Sequence, residues 1–337
     1  MKKLIPLLTC AALVAHLPLS AQEAKPAPAP GEIVAAAKAG EWVALAPSDL
    51  LVMDLAPDAK GKPRRVVMQL MPPPFSQGWI GNIRKLAVAK WWDGTSINRV
   101  QDNYVVQWGD ATEKKALPEG LATVPERAYT IRGIDMALHW SGLSPTIENE
   151  ARLRTEADGI PWLKKPKRKE MEDPYATVTN FVDGWPVGSG EGNNAVDLPA
   201  WPIHCYGMVG VGRSLSPDTG TGAELYTVIG HAPRHLDRNI ALVGRVIEGI
   251  EHLSSLPRGT GALGFYEKEE ERVPILSVRL GNEAKDVATF EYLSTKSQSF
   301  AAYADARANR RDPFFIRPAG GADICNIPVP VRRKAVK

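Results

Sequence analysis

Two blocks of short apolar segments, residues 50–110 and 203–281, flank a long polar, turn-rich stretch at 111–203. Short strand-like runs bounded by Gly, Pro and Asp turns favour an antiparallel sheet that closes on itself. In the first block Leu50–Leu55 and Arg65–Leu70 read as a strand pair joined through a turn at Gly61-Lys62-Pro63. Pro72-Pro73-Pro74 stops the second strand. Ser76 then reads as the cap of a helix with Trp79, Ile80, Ile83, Leu86, Ala87 and Val88 on one face, wide enough to plug a barrel end. Asp93-Gly94 ends it, and short strands follow at 96–100 and 105–108. In the second block strands are expected at 203–211, 225–229, 241–246 and 275–280. A helix is expected over 247–256, with Ile250, Leu253 and Leu256 facing inward. The fold class is therefore mostly β, a closed antiparallel barrel capped by two helices.

The stretch 111–203 is too long for a structureless loop inside one domain, so it reads as an insertion with structure of its own. Ordered pieces are expected at 127–140 and 177–181, and loop at 184–192. Residues 22–40, rich in Ala and Pro, read as an extended linker, and 282–337 as a C-terminal extension with an amphipathic stretch at 290–303. The main domain is thus 41–281, interrupted by its insertion.

Lys2 and Lys3 precede an apolar run, Leu4 to Leu19, that Pro6, His16 and Pro18 interrupt; Ser20 and Ala21 follow. That is the layout of a signal peptide over residues 1–21. The run is short for a membrane span, so no stable membrane insertion is expected after cleavage, and the location is periplasmic or otherwise secreted. The whole chain has 41 Lys+Arg against 38 Asp+Glu, and losing Lys2 and Lys3 leaves 39 against 38. So even a balance provides no electrostatic footprint for nucleic acid. The basic run Lys164–Lys169 is followed by Glu170, Glu172 and Asp173, which reads as a solvated loop. Cys10 leaves with the leader, and Cys205 and Cys325 remain. An even pair in an oxidising compartment is expected to form a disulfide; the alternative is two separate buried thiols.

Other chemistry finds little support. His231, His235 and Asp237 are close in sequence, but Pro233 keeps the two histidines off one helical face, so no metal is expected. Gly210-Val211-Gly212 lacks the third glycine of a dinucleotide fingerprint, and no Gly-x-Ser-x-Gly elbow occurs.

The run Ile97-Asn98-Arg99-Val100-Gln101-Asp102-Asn103-Tyr104-Val105-Val106-Gln107-Trp108-Gly109-Asp110 is one half of a pattern. Val211-Gly212-Arg213, Glu224-Leu225-Tyr226 and His235-Leu236-Asp237 supply the other. Together they resemble the cyclophilin family of peptidyl-prolyl cis-trans isomerases. The resemblance implies that Arg99 and Gln107 are catalytic, with the arginine polarising the amide and the glutamine orienting the chain. It also implies that Tyr104, Val105, Tyr226 and Leu236 hold the proline, and that Gly212, Arg213, Glu224, His235 and Ile240 complete the substrate site. Trp108 stands for a family glycine, Val105 for methionine, Tyr104 and Tyr226 for phenylalanines, Glu224 for glutamine, His235 for an aromatic and Ile240 for histidine.

The implied reaction needs little equipment. An X-Pro bond turns over a barrier of roughly 18–20 kcal/mol without any bond being made or broken, so no cofactor is required. A guanidinium suits the task because it stays charged when half-buried and fixes its donors in a plane. One positioned donor supplies about 3–4 kcal/mol; the rest must come from excluding water and binding a twisted substrate. Because the altered residues bear on that larger share, a weak isomerase acting on extracytoplasmic polypeptides is the expectation. The alternative is a non-catalytic module in the cell envelope that grips proline-containing chains, or a barrel serving as platform for a functional insertion.

Overall fold

The computed structural model describes residues 26–141, 173–190 and 198–335. The signal-peptide reading and the basic run at Lys164–Lys169 lie outside them. Where it is described, from residue 26, the stretch expected as an extended linker is not extended throughout. Pro30–Ala36 forms a helix, α1, with proline at its first position, where the missing N–H would be unpaired in any case. The strand β1 (Trp42–Ala44) follows.

The barrel begins with β2 (Leu50–Leu55) and β3 (Arg64–Leu70), antiparallel with Leu50 opposite Gln69 and Leu55 opposite Arg64. Apart from Asp54, Arg64, Arg65 and Gln69 the two strands are apolar, because both faces are covered. Leu51, Met53, Leu55, Val66, Met68 and Leu70 point into the barrel core, while Leu50, Val52 and Val67 pack under Phe290 of the tail. The helix α2 (Gln77–Val88) plugs one end with Trp79, Ile80, Ile83, Leu86 and Ala87 buried as expected, whereas Val88, its last residue, is exposed. Ser76 does not cap it by its side chain. Its backbone is left-handed (φ 56°), and its hydroxyl donates instead to the Leu242 carbonyl at 2.7 Å.

After α2 come β4 (Ser96–Val100) and β5 (Val105–Gly109), and then the insertion: β6 (Ile131–Arg132), α3 (Gly133–Ser141), β7 (Val178–Val182), β8 (Trp185–Ser189) and β9 (Pro199–Pro202). These strands form a second sheet in the order β6-β9-β8-β7. Residues 185–189 are therefore strand, not loop. Asp183 and Gly184, at φ 44° and 86°, make the two-residue turn that joins β7 to β8.

The second half supplies β10 (Met208–Val211), β11 (Leu225–Val228), β12 (Leu242–Glu248), the short helix α4 (Glu251–Ser254) and β13 (Val273–Leu280). The order β10-β11-β5-β4-β13-β2-β3-β12 closes through β12 onto β10, giving the antiparallel barrel. Two expected elements are shorter than the sequence suggested. Residues 203–207 run outside the sheet before β10. The helix expected over 247–256 shrinks to α4, because β12 continues to Glu248 and the chain turns at Gly249 (φ 82°). A side chain at Gly249 would come within 2.1 Å of the Arg65 carbonyl oxygen. Leu253 and Leu256 are buried as expected, whereas Ile250 is half-buried.

The tail resolves into β14 (Phe290–Leu293), the helix α5 (Gln298–Ala308) and β15 (Val331–Arg333), so 290–303 is a strand followed by a helix. The order β1-β14-β15 joins the two ends of the chain in a third sheet. Trp42, Leu293, Phe300 and Tyr303 form its core, with Ile33 and Val34 of α1 and Phe181 of the insertion packed against them. Two devices attach the additions to the barrel, one holding the tail and one the β7–β8 hairpin. Cys205 is disulfide-bonded to Cys325, with Cα atoms 5.1 Å apart. Buried Arg245 of β12 donates to Gln69 Oε1 (2.9 Å) and to the Gly184 carbonyl (2.7 Å), with its guanidinium 4.5 Å from the Trp185 ring centroid. No described helix is long and apolar enough to cross a membrane.

Candidate active site

Arg99 and Gln107 are brought together by a register irregularity. The β4–β5 pairing shifts between Ile97 and Arg99, which sets Arg99 directly across from Gln107. Arg99 Nη1 donates to Gln107 Oε1 at 3.1 Å, Nε donates to the Leu263 carbonyl at 2.7 Å, and Nη2 donates to Gln101 Oε1. The guanidinium carbon lies 5.3 Å from the Phe265 ring centroid and 5.8 Å from that of Tyr104. Burial lowers the Arg99 pKa from its ordinary value, with Tyr104 opposing the change, and the group remains a cation. A guanidinium has five N–H donors. Three are engaged here, so two stay available to a ligand.

Beside this cation lies an apolar cluster. Val105, Tyr226 and Val228 form its buried floor, and Tyr104, Leu236 and Ile240 pack around them. Strand pairing explains the assembly: β11 lies against β5 with Tyr226 opposite Gln107 and Val228 opposite Val105. Tyr226 also faces Gly210 on β10, where any side chain would come within 2.3 Å of its ring. The glycine is what lets the aromatic ring lie flat across the sheet. Exposed His235 stacks on Tyr104, with ring centroids 6.1 Å apart, and extends the aromatic wall.

The Tyr226 hydroxyl is fully buried and must find a partner. It meets His204 Nε2 at 3.1 Å, and His204 Nδ1 meets Asp237 Oδ1 at 2.9 Å. With Nδ1–H donating to the carboxylate, Nε2 is left to accept the tyrosine proton. Asp237 also accepts from the His204 backbone N–H at 3.0 Å and from Arg234 Nε at 2.6 Å. Arg234 reaches onward to Asp173 of the insertion at 2.8 Å. Burial pushes the Asp237 carboxyl up, but the hydrogen bonds from His204 and Arg234 outweigh it and hold it below the ordinary value.

On the other side of Gln107 is a cleft of about 110 Å³ whose lining includes Asn98, Asp110, Glu224 and Phe265. Burial raises the Glu224 pKa from 4.5 to about 6, against hydrogen bonds from Gln107 and Asn98 that lower it. Gly212 gives Glu224 room, since a side chain there would come within 2.9 Å of Glu224 Cβ and 3.4 Å of Gln107 Nε2. Arg213 turns elsewhere: Nε and Nη2 donate to the Asn239 carbonyl at 3.1 and 3.0 Å, bracing two loops together.

Of the residues named from sequence, Arg99, Gln107, Tyr104, Val105, Tyr226, His235, Leu236 and Ile240 thus gather around one spot, with Gly212 and Glu224 adjoining. Arg213 engages neither Arg99 nor Gln107. His204, Arg234, Asn98 and Phe265 escaped the sequence reading. Apart from Asp237, three residues from Arg234, the partners of these residues lie far along the chain, and no spacing rule links Arg99 to a loop 164 residues away.

Comparison with known proteins bears on the family and the fold. The family described as cyclophilin type peptidyl-prolyl cis-trans isomerase/CLD matches residues 79–280. The crystal structure of the cyclophilin AquaCyp293 from Hirschia baltica superposes with a TM-score of 0.60 at 18% identity, over 88% of this chain and 95% of that one. A Cryptosporidium parvum cyclophilin type peptidyl-prolyl cis-trans isomerase, solved in the presence of the dipeptide Ala-Pro, gives a TM-score of 0.35 at 9% identity, over 68% and 98% of the two chains. No curated protein matches the chain.

Proposed function

The chain belongs to the cyclophilin-type peptidyl-prolyl cis-trans isomerase family, and from that premise we propose that it accelerates X-Pro isomerisation in polypeptides outside the cytoplasm. One observation carries the reading: a half-buried guanidinium with two free donors stands beside an apolar cluster, and a glutamine bonded to it lines the same surface. A proline ring lying on Tyr226, Val105 and Leu236 would bring its amide under Arg99. A donor to the prolyl nitrogen weakens amide resonance and lowers the rotation barrier by about 3–4 kcal/mol. Gln107 would orient the peptide backbone. A location outside the cytoplasm draws its support from the leader-like residues 1–21 and from the Cys205–Cys325 bond, which an oxidising compartment preserves.

The engagement of Arg99 by Leu263, Gln101 and Gln107 favours a second reading, a module that grips proline-containing chains without turning them over. NMR exchange spectroscopy on an Ala-Pro peptide separates the two. Wild type should accelerate exchange, and Arg99→Ala should lose about 10²–10³ of the rate. Negligible acceleration by both proteins ends the catalytic reading, and saturable binding without acceleration then establishes the second.

A further inference from the structure

We propose that the cleft beside Gln107 binds a cationic side chain, lysine or arginine, carried by the polypeptide close to its proline. The inference rests on reading Arg99 and Gln107 as the proline site, because that is what brings a substrate past this cleft. Phe265 lines the cleft and also lies under the Arg99 guanidinium, so the two sites are continuous.

Charge sets the sign. Asp110, Glu113 and Glu224 line the cleft against the single cation Arg272. The Asp110 carboxylate is already used, accepting from the backbone N–H groups of Thr112, Lys114 and Lys115, so it contributes field rather than a free acceptor. Glu224 is the carboxylate that a ligand can engage.

A second observation is independent of these acids. Asn98 is 6% exposed and lines the cleft, and its Oδ1 has no hydrogen-bond partner. A buried acceptor without a donor carries a desolvation cost that a bound N–H removes. Asn98 and Glu224 line the same cleft, as does Arg272, whose buried Nε also lacks a partner. An ammonium or guanidinium presents donors only, which suits two acceptors side by side. Phe265 and Tyr266 supply apolar wall for the methylene stem and aromatic faces for the charge.

The test uses three peptides identical except for one position beside an Ala-Pro pair: lysine, its neutral isostere norleucine, and glutamate. Dissociation constants come from isothermal titration at neutral pH with the full chain, its Arg99→Ala variant and its Glu224→Gln variant. The lysine peptide should bind wild type about five- to tenfold more tightly than the norleucine peptide, and Arg99→Ala should keep that ratio. In Glu224→Gln the ratio should fall below about twofold. Equal affinity for lysine and norleucine in wild type overturns the proposal, as does a glutamate preference, which would assign the cleft to Arg272. The isomerase reading fails separately, through absent acceleration of exchange, whichever peptide binds best.

Discussion

Removing the Cys205–Cys325 bond is the sharpest test of how this molecule is held together. The bond joins residues 120 apart in sequence. On the chain-entropy account, cross-linking a loop of that length withdraws roughly 16 cal/mol/K from the unfolded ensemble, or about 5 kcal/mol at 25 °C. A domain is typically stable by about 5–15 kcal/mol in all, so a third or more of the total is at stake. The folded state should change little, because Cys205, Cys325 and Ile324 already pack in or against the main core. The perturbation is the double variant Cys205→Ser with Cys325→Ser, followed by urea denaturation of variant and oxidised wild type. The expected loss is about 4–5 kcal/mol, and reductant added to wild type should reproduce it while leaving the variant unmoved. A loss under about 1 kcal/mol, with the wild-type bond verified by mass, would refute the reasoning. It would mean that the unfolded chain is already restrained, or that the bond strains the fold it closes.

Two further substitutions probe the site itself. Tyr226→Phe keeps the apolar floor but leaves His204 Nε2 buried without its partner, so thermal unfolding should report a loss of about 1–3 kcal/mol. Affinity for an Ala-Pro peptide should change less than about threefold; a larger loss would place the hydroxyl, not the ring, in contact with substrate. Glu224→Gln should have an effect that depends on pH. The carboxyl ionises near 4.5 when unfolded and at about 6 when folded, so the folded state resists the charge. The cost is absent below pH 4.5, grows as pH rises to about 6, and is complete above that. The glutamine variant should therefore match wild type at pH 4 and exceed its stability by about 1–2 kcal/mol at pH 8 in chemical denaturation. Equal stability at both pH values would show that Glu224 is freely hydrated.

The barrel was legible because its information is local. Leu50–Leu55 and Arg64–Leu70 announce a strand pair by composition, and α2 announces itself by the spacing of Trp79, Ile80, Ile83 and Leu86. Arg99, Gln107, Tyr104 and Val105 were legible for a related reason: they fall on one strand–turn–strand unit, so their spacing survives in the sequence. What failed to show was of two kinds. The Asp183-Gly184 turn carried a readable hairpin signal, but the glycines around it in Gly184–Gly192 suggested coil, and the covering that buries Trp185 and Val187 is supplied from elsewhere. The helix α1 is seven residues long, too short to persist alone; it forms because Ile33 and Val34 find Phe300 and Tyr303 far along the chain. His204 belongs to the same class. Nothing in Pro202-Ile203-His204-Cys205 marks the histidine, whose meaning comes from Asp237 and Tyr226 converging on it.

Those same distant contacts bear on what the insertion and the tail do for the site. The floor tyrosine rests on His204, His204 on Asp237, Asp237 on Arg234, and Arg234 on Asp173 of the insertion. Asp237 and Arg234 are 2% and 4% exposed. Buried charges of this kind are tolerable only while every partner is in place, and losing one partner exposes the whole cost of the other. Cys205, the next residue after His204, is bonded to the tail, and Arg245 fastens the β7–β8 hairpin to the barrel wall. The additions therefore share a disulfide and buried hydrogen bonds with the barrel. They complete the hydrogen bonds of Arg234 beneath the candidate site, so a barrel without the insertion would keep the Tyr226–His204–Asp237–Arg234 chain but lose the Asp173 carboxylate from its buried end.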